Sequence, residues 1–155
     1  MAEAGQQPGD QQSASDTCEA RRSVEPSDLS LLGLTRHLSD AERYWFRQVM
    51  GGEDAPARYR ADAGDDHDRA FSEAAAADPV AVALAWGNWR DEVVFAERFV
   101  AQAADLNLTR PYVGRGGHHA QVSLREVLVH IIEEYARHID HTDLLRERID
   151  GPVGL

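Results

Sequence analysis

The chain has no lysine. Its 16 basic residues are all arginine, set against 27 acidic residues, for a formal charge of −11. Such a surface repels phosphate backbones, whose binding depends on cationic side chains replacing counterions, so nucleic acid is excluded as a partner. Together with abundant Ala, Asp and Gly, the missing lysine reads as coding bias in a high-GC genome. Cysteine is almost absent too. The single Cys18 cannot form an intramolecular disulfide, so a reducing cytoplasm is the expected location. No run approaches 18 apolar residues, which excludes a membrane-spanning helix. No basic stretch followed by an apolar one opens the chain, so no secretory signal is expected. Internal repeats and strong alternating strand patterns are missing as well.

What is present is helical. At 155 residues the chain has the size of one domain with a substantial core. Residues 1–25 are rich in Gln, Ser, Asp, Gly and Glu and cannot bury enough apolar surface to order themselves, so they are expected to be disordered or weakly helical. Residues 26–155 form the folded domain. A first helix is expected from Ser30, a good N-cap, to Met50, with Leu31, Leu34, Leu38, Trp45 and Val49 as its stripe and Gly51-Gly52 as its stop. An acidic loop follows to Asp78. Asp78 as N-cap and Pro79 at the first helical position start a second helix, running to about Asp105. Val82, Trp86, Trp89, Val93 and Val100 are its inward residues, and the three tryptophans are expected in the core. A Gly-rich loop with Pro111 precedes the last helix. Ser123 and Glu126 form a Ser-x-x-Glu capping box, with Val122 and Val127 as a staple, and Gly151-Pro152 ends that helix. The expected architecture is an all-α, antiparallel helical bundle with three long helices.

The last helix carries an irregularity. Leu124, Leu128, Ile131, Tyr135, His138, Thr142, Leu145 and Ile149 make one inward stripe, and Glu134 lies beside it, one turn before His138. Residues four apart share a helix face. A carboxylate there must be exposed, paired or metal-bound, because a buried unpaired charge is strongly unfavourable. His37, between Leu34 and Leu38 on the first helix, can complete a set of two imidazoles and one carboxylate. Gly33, one turn earlier, leaves space beside its ring. That ligand set suits zinc with one open position, or non-haem iron. A solvated Glu–His pair and a hydrogen-bonded core histidine are the plainer readings. His130 and His141 flank the same surface. His118-His119 read as an exposed turn and His67 as part of a solvated acidic loop. Cys18 has nothing nearby to lower its pKa, which argues against a nucleophile.

The segments Pro26–Leu38 and Ile132–His138, with the tail His141–Glu147, resemble the DinB-like superfamily and more closely its actinobacterial mini-circle protein branch. The superfamily includes thiol S-transferases using mycothiol or bacillithiol and the mycothiol-dependent maleylpyruvate isomerase. The resemblance implies a four-helix bundle with a divalent metal, zinc first and iron, nickel or manganese behind it, held by His37, Glu134 and His138. It also implies a low-molecular-weight thiol such as mycothiol as cofactor. The implied activity is metal-assisted attack of the thiolate on an electrophile. Asp140 or His141 would orient a ligand or handle protons, and Arg137 would meet an anionic group. A metal-dependent hydrolase and a non-catalytic stress or binding protein are the alternatives. Relatives begin with an apolar helix that residues 1–12 cannot provide. The first helix is therefore expected to be missing, or to lie upstream. Leu31, Leu38 and Trp45 would then lack a covering wall, and the chain would pair its open faces as a homodimer.

Overall fold

The computed structural model describes residues 18–23, 27–60, 71, 74, 77–114 and 117–151. Residues 1–17 of the segment expected to be disordered or weakly helical, His67 and the centre of the acidic loop lie outside them; residues 18–20 form a short helical turn, and Arg21 donates to the Ala77 carbonyl at 2.5 Å. Helix α1 spans Leu31–Glu42 and continues as a π-helical segment, Arg43–Met50. Helix α2 spans Pro79–Gln102, strands β1 and β2 span Thr109–Val113 and His119–Ser123, and helix α3 spans Leu124–Asp150. No described helix is long and apolar enough to cross a membrane.

The expected caps form. Ser30 accepts from the Gly33 amide at 3.1 Å, and Asp78 accepts from the Ala81 amide at 2.7 Å. Ser123 and Glu126 close both halves of the capping box. Removing one half should be measurable. Ser123→Ala is expected to cost about 1 kcal/mol, and hence about 2–4 °C in melting temperature. An unchanged melt would mean that the β2 connection, and not the cap, holds the start of α3.

Two expectations need correction. The Gly-rich loop before α3 contains an antiparallel hairpin, in which Thr109 pairs with Ser123 and Val113 with His119. Its strands have little apolar alternation of their own. They are held from outside, by Tyr112 packed on Trp45 and by Arg110 donating to the Met50 carbonyl at 3.2 Å. The bundle is also not antiparallel throughout. Arg43 meets Glu92 and Arg47 lies over Phe95, while Leu32 shares an apolar cluster with Val82 and Ala85. The numbers rise together, so α1 and α2 run in the same direction. The long connection between them is the crossover that a parallel pair requires. Helix α3 runs against α1, since His37 meets Glu134 while Phe46 and Met50 cluster with Leu124, Val127 and Ile131.

α1 lies between the other two helices and is covered on most sides. Leu32, Leu34, Phe46, Val49 and Met50 are buried. Leu31, Leu38 and Trp45 are half-buried, so the open wall expected over them is not seen. Part of the cover is the loop after α1. The Asp40 carboxylate accepts from the backbone amides of Arg58, Tyr59 and Arg60 at 2.8, 2.9 and 2.9 Å, pulling that loop onto the helix. The π-helical turn closes where the Gly51 amide donates to the Phe46 carbonyl, five residues back, at 2.9 Å. A Cβ on Gly51 would stand 2.8 Å from the Arg47 carbonyl oxygen, so a larger residue there would force this turn to shift. On α2 the buried positions are Val82, Ala85, Glu92 and Ala96. Trp86 is exposed instead of inward, and Trp89 is half-buried.

Candidate metal centre

His37 comes from α1, and Glu134 and His138 from adjacent turns of α3. The antiparallel α1–α3 packing brings them together. One ligand atom from each lies within 4.8 Å of the others. Glu134 Oε2 stands 3.4 Å from Nε2 of His37 and 3.4 Å from Nε2 of His138. A tetrahedral ion with bonds of about 2.0–2.2 Å would set neighbouring ligands roughly 3.3–3.6 Å apart, and the two Glu134–imidazole separations match that spacing. His138 is buried, while His37 and Glu134 are half-buried, and the cluster therefore opens to one side.

The charge states also suit ligation. Burial works against the charged form of Glu134, but the hydrogen bond from His37 and the charges of Arg137, His37 and His130 outweigh it. The carboxyl is held below its ordinary range. Burial, and then the neighbouring His37, push the His138 pKa below its ordinary value, which favours the neutral imidazole with a free lone pair.

Each flanking candidate has a definite place. Arg137 donates to Glu134 Oε1 at 2.8 Å, leaving Oε2 turned to the imidazoles. His141 Nδ1 stands 3.4 Å from His138 Nδ1, on the ring edge away from Glu134. Asp140 is exposed and has no hydrogen-bond partner among the described residues. His130 packs edge-on against Trp45, with ring centroids 5.1 Å apart. His118 and His119 are exposed, the latter in β2, and Cys18 is exposed and free. The space expected beside Gly33 is filled. Phe71 lies against it and stacks on His37, and a Cβ at Gly33 would come within 3.2 Å of the Phe71 Cα.

A family model described as Mycothiol-S-transferase matches residues 12–151, most of the chain. The chain belongs to the mycothiol S-transferase family. This family lies within the DinB-like superfamily. No curated protein and no solved structure gives a significant match.

This S-transferase-family chain has a second polar feature that its sequence pattern hid. Glu42 is 5 % exposed, and its Oε1 accepts from the Tyr135 hydroxyl at 3.1 Å. That hydroxyl in turn accepts from the Trp89 indole at 2.8 Å, so one short chain of hydrogen bonds joins all three helices. Glu42 Oε2 is buried without a hydrogen-bond partner among the described residues. Burial above all, with the like charges of Glu92 and Glu97, pushes the Glu42 carboxyl up to about 7, although the Tyr135 hydrogen bond acts in the other direction. The folded-state pKa lies above the unfolded value of 4.5. The folded form therefore binds the proton more tightly, and stability falls as pH rises from about 4.5 to about 7. Glu42→Gln is expected to melt higher than the unaltered protein at pH 8 and at about the same temperature near pH 4.5. A difference that does not change with pH would remove Glu42 from this role.

Proposed function

We propose that the chain is a metal-dependent thiol S-transferase of the mycothiol-using type, with His37, Glu134 and His138 holding one divalent ion, zinc in first place. The observation that carries this reading is the meeting of two imidazoles and one carboxylate from α1 and α3, in a chain whose family is described by mycothiol S-transfer. Three protein ligands leave at least one position open. A divalent ion there would supply Lewis acidity, favouring the thiolate, the nucleophilic form of a cofactor thiol.

The remaining work belongs to the chain's own side chains. Arg137 fixes the Glu134 carboxylate through Oε1. His141, beside His138 Nδ1, would accept from that nitrogen in the tautomer that leaves Nε2 free to ligate. Phe71 against His37 limits that ring's rotation and keeps water from one flank. The partly open side, where His37 and Glu134 reach solvent, is where a thiol and an electrophile would enter.

Elemental analysis of protein purified without a metal-affinity tag tests the ligand set and distinguishes zinc from iron, nickel and manganese. The expected result is about one ion per chain. A metal-free protein that cannot be loaded would sink the reading. The affinity should also depend on pH. Histidine ligates only when neutral, and its free pKa is about 6.5. Affinity measured by chelator competition is therefore expected to weaken as pH falls from 8 to 5, whereas a flat profile would remove histidine from the ligand set.

A further inference from the structure

The outward face of α3 has an order of its own. Arg125, Val129, Ile132, Ala136, Ile139 and Asp143 follow one another at alternating spacings of four and three residues, the heptad spacing of a helix–helix seam. All six are exposed. The three large apolar ones, Val129, Ile132 and Ile139, are 50 %, 66 % and 57 % exposed. At 100° per residue this seam lies on the opposite side of α3 from Glu134, clear of the candidate metal centre.

Two features point to a second copy of this chain as the occupant. The seam is symmetric about residue 134. Antiparallel pairing around that point sets Val129 against Ile139 of the second copy, and Ile132 against its Ala136, a large side chain over a small one. The ends of the seam carry opposite charges. The same pairing brings Arg125 against Asp143 of the second copy at both ends, and neither side chain has a partner among the described residues. Parallel pairing would set arginine on arginine and aspartate on aspartate, so the end charges select the antiparallel form.

We propose that the chain forms a two-fold symmetric dimer by antiparallel pairing of two α3 helices along this seam, with both metal centres facing away from the interface. The inference is independent of the metal reading, since no seam residue touches the His37–Glu134–His138 cluster. It also moves the pairing surface from α1, where the sequence pattern placed it, to α3.

Sedimentation equilibrium on the full chain at micromolar concentration tests it. The unaltered protein is expected to be dimeric. Ile132→Glu, at a position exposed enough to leave the protomer fold intact by far-UV circular dichroism, is expected to weaken association at least about a hundredfold. Arg125→Glu and Asp143→Arg should each weaken it about tenfold, and the double reversal should restore it. A monomeric unaltered chain would overturn the proposal. So would a dimer indifferent to Ile132→Glu, or single reversals that the double variant does not rescue.

Discussion

Glu134→Ala protein is expected to retain almost no metal after dialysis, while the unaltered chain keeps about one divalent ion. Glu134 Oε2 stands between the two imidazoles, 3.4 Å from each Nε2, and is the one negative charge in the cluster. Even residues that only orient a metal ligand cost about 10–100-fold in affinity when removed, so loss of a ligand should cost at least about a hundredfold. The half-exposed position of Glu134 means that the helical content should not change, which separates loss of metal from loss of fold. Full occupancy in Glu134→Ala, by elemental analysis, would show that the carboxylate is no ligand.

The second large effect should come from a residue far from any chemistry. Glu92 is 1 % exposed and accepts from Arg43 at 3.0 Å, Arg47 at 2.5 Å and Arg58 at 2.9 Å, tying the π-helical continuation of α1 and the following loop to α2. Breaking a buried pair by removing one partner typically costs about 3–5 kcal/mol, because the other charge is left without its counterion. Here Arg43 and Arg58 would lose theirs while Arg47 keeps Glu53 at 3.3 Å, and each guanidinium reaches solvent in part, which moves the expectation toward the lower end. Glu92→Leu is therefore expected to cost about 3 kcal/mol, or roughly 6–12 °C in melting temperature. An equal or higher melting temperature would mean that the arginines resolvate freely and that Glu92 adds no net stability.

The parts of this structure that were legible in the sequence are those set by local rules. The inward stripe of α3 from Leu124 to Ile149 lies buried or half-buried at every position, because a 27-residue helix with a capping box declares its period and its start. The pairing of Glu134 with His138 follows from the same geometry. The meeting with His37 depends on tertiary packing. The place of His37 between Leu34 and Leu38 makes it a candidate third ligand, and the resemblance of the Pro26–Leu38 and Ile132–His138 segments to a known superfamily favours it over the plainer reading.

What stayed hidden was decided by neighbours. Nothing in Thr109–Val113 or His119–Ser123 marks a strand strongly, and Pro111 suggested a loop; Trp45 and Met50, distant in sequence, hold the hairpin in place. Trp86 looked inward by size and spacing, yet small Ala85 and Ala96 and charged Glu92 occupy the α1 interface, because close helix approach leaves no room there for an indole. Glu42 and Glu92 read as surface charges until their partners on other elements are known. The parallel course of α1 and α2 is set by a long crossover whose path no local pattern encodes.

If His37, Glu134 and His138 hold the ion that activates the thiol, as proposed, mycothiol transfer must depend on that ion and on Glu134. The most direct measurement is consumption of mycothiol with a model electrophile by metal-stripped protein, by the same protein reloaded with zinc, and by Glu134→Ala protein treated identically. Turnover is expected to be absent in the stripped protein, restored by zinc, and lost in Glu134→Ala. Equal turnover in all three, or none in fully loaded protein with any mycothiol–electrophile pair tried, would contradict the proposal.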